Sequence, residues 1–117
     1  MNIEPTRRTE LYAALNRLQA ALVTAELWEG ERPPDRDLAS EQPFCHDTLE
    51  LHQWLQWRFI PRLRGILDGF GKLPEACAIY PYAEDRFDTK DGRHGELLHA
   101  IRSVDELIST AQAGRTH

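Results

Sequence analysis

The stretch Asp47–Phe70 reads DTLELHQWLQWRFIPRLRGILDGF, and its pattern decides the fold. Leu51, Leu55, Phe59, Leu63, Ile66, Leu67 and Phe70 recur mainly at steps of three and four. At about 100° per residue they cover a sector of roughly 160° on a helical wheel. Trp54, Trp57 and Ile60 widen that stripe. A helix this apolar lies at the centre of a bundle or keeps a flank for a partner. Asp47 is the expected N-cap, with Glu50 three residues on as a variant of the capping box. The helix should run to about Gly69. Pro61 inside it removes one helical hydrogen bond and leaves the Trp57 carbonyl without its donor, so a kink is expected there.

Working outward, residues 6–29 read as a helix. Leu11, Leu15, Leu18, Leu22 and Ala25 alternate steps of four and three, Thr6 is a candidate N-cap, and Trp28 continues the stripe. Gly30 is the expected stop. Pro33, Pro34 and Pro43 make residues 30–46 a long loop, with Pro43 and Phe44 docking it back on the core. Gly69, Gly71 and Pro74 form a turn. Ala76–Tyr80 is a short apolar piece, and Pro81 is placed to open a short helix carrying Tyr82. Asp91-Gly92 marks an exposed turn. A last helix spans about 95–111, with Leu97, Leu98, Ile101, Val104 and Ile108 on one stripe, and residues 114–117 are expected to fray. The sum is an all-α fold: one domain over residues 1–117, a bundle of three long helices and one short one.

Composition narrows the function. The 117 residues are 41% hydrophobic, enough for one core. Nineteen acidic against fourteen basic residues give a net charge of -5, which argues against nucleic acid as a main partner. The amino-terminal residues lack the apolar run of a secretion signal, and no segment is long and apolar enough for a membrane span, so a cytoplasmic protein with reduced Cys45 and Cys77 is expected.

No chemistry-bearing motif stands out. Cys45, His46, His52 and Cys77 match no zinc spacing. Cys45 precedes a helix start, yet no oriented base accompanies it. Glu84-Asp85 and Asp105-Glu106 are adjacent pairs whose side chains diverge, read as a solvated face. The glycines fit neither phosphate-binding pattern. No catalytic group, metal or cofactor is expected. The group that does stand out combines aromatics and arginines: Phe44, Asp47, Trp54, Trp57, Arg58, Arg62 and Tyr82. Trp, Tyr and Arg dominate interface energies. Trp57 lies beside Gln53, Glu50, Arg64 and Asp68 on the wheel and is the tryptophan expected to be exposed. Arg58 and Arg62 lie together and suit a carboxylate or phosphate. The plainer alternative is that Trp54 and the loop aromatics fill the core while the arginines pair with carboxylates. Two uses of the patch are open: docking of a protein partner or a second copy, or a small-ligand pocket at the Pro61 kink lined by Trp54, Tyr82 and Arg62.

Gln42-Pro43-Phe44, Asp47-Thr48, Trp54-Leu55-Gln56-Trp57, Ile60-Pro61-Arg62, Leu73-Pro74 and Pro81-Tyr82 together resemble the YqcC-like family of small bacterial helical proteins. The resemblance is close from Gln42 to Asp85 and extends to the flanking helices in length and pattern. Cys45-His46 departs from it, where larger apolar residues are expected. The resemblance implies a helical bundle and no established enzymatic activity. Family members are often encoded beside a tRNA pseudouridine synthase and sometimes labelled after it. It therefore implies an accessory role near tRNA pseudouridylation through a protein partner, with RNA involved only indirectly. A synthase activity is not implied, because the chain lacks the length and strand pattern of such a catalytic domain.

Overall fold

A computed structural model describes residues 5–70, 73, 77–87 and 90–113. The expectations for Gly71, Pro74, Ala76 and the tail 114–117, and for the side chain of Phe70, lie outside those residues. Every regular element among the described residues is helical.

Helix α1 spans Pro5–Thr24 and buries Leu11, Ala14, Leu15, Leu18, Ala21 and Leu22, the stripe expected of it. Thr6 lies inside the first turn and is not the cap. The helix also ends well before Gly30. The Leu27 N–H donates to the Leu22 carbonyl at 2.9 Å and the Glu26 N–H to Val23 at 3.0 Å, with Glu26 left-handed at φ 62. This is a Schellman stop, in which the left-handed residue is normally glycine. Trp28 therefore leaves the stripe and is 38% exposed on the loop.

The loop 30–46 is built, not open. Helix α2 (Asp35–Leu38) makes one turn, and Pro43–Cys45 make a 3-10 turn. Its near end is clamped by Gln56, a buried amide on the central helix. Gln56 Oε1 accepts from the Glu29 N–H at 2.7 Å, and its Nε2 donates to the Glu29 carbonyl at 2.6 Å. His52 and Gln53 reach the Glu29 carboxylate at 3.3 and 3.2 Å.

The central run begins at Leu51, not Asp47. Glu50 is extended and its N–H donates to Gln53 Oε1 at 2.8 Å, the reciprocal bond of a capping box three residues later than expected. Asp47 is engaged elsewhere, accepting from the Ser40 hydroxyl at 2.6 Å. The run then passes through α3 (Leu51–Trp54), a π turn over Leu55–Phe59, α4 (Ile60–Gly65) and a second π turn over Ile66–Phe70. The first π turn directly precedes Pro61, and the Ile60 N–H reaches back five residues to Leu55. The break expected at the proline thus takes the form of a widened turn that does not end the helix.

Helix α5 (Ile79–Arg86) begins two residues before Pro81, which is its third residue. Its amino terminus is capped across the bundle by Asp105, which accepts from Ile79 N–H at 3.1 Å and Tyr80 N–H at 2.7 Å. Asp105 is buried, so its expected place on a solvated face is corrected. Helix α6 (Gly92–Ala113) starts earlier than expected because Asp91 caps it, accepting from the Arg93 N–H at 2.8 Å. The Arg93 guanidinium first, then that bond, hold the Asp91 carboxyl down at about 2.

Helices α1 and α6 run antiparallel, with Glu26 and Arg93 paired at one end at 3.1 Å. The central run lies alongside α1 in the opposite sense, with Gln56 at Glu29 and Arg64 donating to Gln19 and Asn16. Arg8 donates to the Leu67 carbonyl and the Tyr12 hydroxyl to Asp68, fixing the run's far end to α1. One apolar core joins Leu15, Leu22, Leu55, Leu63, Leu67, Leu97, Ile101 and Ile108. Truncating any of these to Ala costs about 2–5 kcal/mol.

Candidate functional site

The 3-10 turn sets the site. Gln42 is extended ahead of Pro43, and then Phe44 (φ 58) and Cys45 (φ 50) are both left-handed. Two successive non-glycine residues there cost on the order of 1–3 kcal/mol each, and such strain clusters at binding sites. Arg58 holds the turn in place. Its Nη1 donates to the carbonyls of Leu38 at 2.6 Å and Ser40 at 3.0 Å and lies 3.1 Å from Cys45 Sγ. Arg58 thus pairs with backbone, not with the carboxylates of the plainer alternative.

So positioned, Phe44 joins an aromatic chain. Its ring stacks on Tyr82 at 4.6 Å and meets Trp54 edge-on at 5.0 Å, while Trp54 stacks on Phe59 at 5.2 Å. The π turn brings that last pair together, since a residue and its fifth successor diverge on an ordinary α-helix. Arg86 covers the outer face of Tyr82, 4.6 Å from the ring centre.

Between the turn, the central run and the start of α5 lies a half-open cavity of about 490 Å³. Its walls are Phe44, Trp54, Phe59, Leu63, Ile66 and Ile79, and Glu41, Arg58 and Arg62 stand around it. Arg62 is exposed and has no hydrogen-bond or ion-pair partner among the described residues. Cys77 lines one edge. Its thiol donates to Asp105 at 3.0 Å. Burial first, then that bond, push its pKa far above the ordinary thiol range, so it is a protonated thiol at neutral pH.

Of the seven residues singled out in the sequence, the structure gathers Phe44, Trp54, Arg58 and Arg62 around one cavity. Tyr82 supports Phe44 from behind and does not line it. Asp47 and Trp57 lie apart. Trp57 is half-buried, with its indole Nε1 fully buried and without a hydrogen-bond partner among the described residues, so it is not the exposed tryptophan. Trp28 has that place. Sequence reasoning missed Ile66 and Ile79 as walls, because an apolar residue on a core stripe carries no sign that it faces a void. It also missed Gln56, whose signal was a lone amide within an apolar stripe. Among the described residues no group of three or more His, Cys, Asp or Glu converges to hold a metal, and no helix is long and apolar enough to cross a membrane.

The fold and this cavity define a class: a small all-helical bundle with a preformed apolar groove. A family model, DUF446, described as tRNA pseudouridine synthase C, matches residues 10–107. The uncharacterised YqcC of Escherichia coli is 35% identical over 95 residues, covering 81% of this chain and 87% of that protein. An uncharacterised Haemophilus influenzae protein is 37% identical over 102 residues, covering 87% and 95%. The solution NMR structure of E. coli YqcC has a TM-score of 0.78 at 32% identity, over 91% of each chain. The chain belongs to the YqcC-like family. A tRNA pseudouridine synthase C of Pectobacterium carotovorum is 31% identical over 71 residues, 61% of this chain but 19% of that protein.

Proposed function

We propose that this chain is a non-enzymatic binding module and that the groove beside Trp54 is its site. The observation that carries the reading is the pairing of a preformed apolar cavity with Arg62 on its rim, which has no partner among the described residues. Its volume of about 490 Å³ falls in the range of ligand sites, about 300–1,000 Å³. Strained backbone and a π turn, both frequent at functional positions, shape two of its walls. A thermal-shift screen of the full chain against a metabolite library tests this. Binding raises the melting temperature of the wild type and leaves that of Ala78→Trp, whose new ring fills the groove, unchanged. Equal shifts in both proteins would remove the groove from the account.

A second reading rests on the Pectobacterium match: a stretch similar to this chain forms part of a protein named tRNA pseudouridine synthase C. Sharing one polypeptide supports an accessory role beside such an enzyme. Co-elution of the purified chain with a tRNA pseudouridine synthase of its own genome, with and without nuclease, tests it. Separate elution in both conditions would count against it, and loss of co-elution on nuclease treatment would place RNA between the two.

A further inference from the structure

We infer that the groove selects a small organic monocarboxylate carrying a flat apolar ring, and that Arg62 reads the carboxylate. This rests on the groove being the binding site. The apolar part follows from the walls. Trp54, Phe59, Ile66 and Ile79 offer aromatic faces and branched aliphatic edges, between which a ring is desolvated on both sides. The charge follows from counting the groups at the rim. Arg58 and Arg62 contribute two positive charges and Glu41 one negative. Arg58 bonds only to carbonyls and a sulfur, so its charge is balanced by no carboxylate among the described residues. Among the described residues the site is therefore positive by one charge, inside a chain whose net charge is -5. One anionic charge completes it, whereas a phosphate dianion would overshoot it beside Glu41.

Geometry assigns the roles within the pair. Arg58 Nη1 is occupied in holding the strained turn. Arg62 is free to present its planar donors to a carboxylate in the two-bond arrangement. Because the rim is open to solvent, the pair adds selectivity more than affinity, a preference of about 5- to 10-fold.

The test is a ¹H–¹⁵N NMR titration of the full chain with three probes that share one ring: indole-3-propionate, 3-methylindole and tryptamine. The expected result is saturable shifts of amides in 40–45 and 54–66, with indole-3-propionate tightest and tryptamine weakest. Arg62→Gln should abolish the preference and Arg62→Lys keep part of it. Arg62 is exposed and without a partner among the described residues, so neither variant should lose the native spectrum. If the three probes bind equally, the carboxylate inference fails and the groove stands. If the preference survives in Arg62→Gln, the assignment to Arg62 fails. If no probe perturbs the groove, the binding-site reading fails with it.

Discussion

Replacing Asp105 by alanine should unfold the chain more readily than any other exchange of an acidic residue. Its carboxylate is buried on α6, yet it serves α5, accepting the Ile79 and Tyr80 N–H groups at 3.1 and 2.7 Å and the Cys77 thiol at 3.0 Å. Alanine leaves two helix-terminal donors without an acceptor. A buried N–H deprived of its partner costs about 1–3 kcal/mol. The Ile79 N–H is fully buried and takes a middle value; the Tyr80 N–H is part-buried and takes the low end. Loss of a carboxylate from the positive end of α5 adds about 0.3–1 kcal/mol. The sum is about 3 kcal/mol. In urea, with a slope of about 1–3 kcal/mol/M for a domain of this size, the midpoint should fall by more than 1 M at unchanged slope. Asp105→Asn keeps one acceptor and should cost about half as much. Glu106→Ala, on the exposed neighbour, should stay within about 0.5 kcal/mol. A loss under about 1 kcal/mol for Asp105→Ala would refute the cross-bundle cap.

Four further outcomes follow from the same structure. Trp57→Phe removes a buried indole N–H that has no partner among the described residues and keeps most of the packing, so urea unfolding should show a change under about 1 kcal/mol, against about 3–5 kcal/mol for an ordinary buried Trp cut to Ala. Glu26→Gly relieves a left-handed residue and should raise stability by about 1 kcal/mol, visible as a higher melting temperature, even though it breaks the exposed pair with Arg93. Cys77 keeps its proton in the folded state while the unfolded thiol ionises above about pH 8.5, so folding stability falls as pH rises past that point, and Cys77→Ser should flatten the fall. Peptide mapping after iodoacetamide treatment should likewise find Cys77 unreactive at pH 8 and faster in Asp105→Asn, which weakens the bond that holds the thiol proton.

The fold was legible where the signal was local and repeated. The leucine spacing of α1, the wide stripe of the central run and the α6 stripe all mark buried faces, and the Pro33–Pro43 stretch does break the chain. Boundaries went wrong where tertiary contacts chose among local options. Glu26 takes a left-handed conformation that its residue type does not announce, so α1 stops before the glycine that seemed to end it. Asp47 is a good cap by type but is held by Ser40, and Glu50 takes its place. The residues around the groove were half legible. Phe44, Trp54, Arg58 and Arg62 announce themselves by chemistry, and the structure brings them together through the 3-10 turn and the π turn. Trp57 did not follow them, because its neighbours on the wheel, Gln53 and Arg64, engage Glu29 and α1 and so cover that side of the run. Asp105 was invisible as a structural residue, since its partners are N–H groups on another helix.

The most direct measurement is an amide-resolved NMR map of the wild-type chain with saturating indole-3-propionate, beside the same map for Ala78→Trp. The account predicts shifts confined to 40–45, 54–66 and 77–79 that saturate in the wild type and vanish in the filled variant. Shifts clustered elsewhere, or unchanged in Ala78→Trp, would contradict the claim that this groove is where the protein binds.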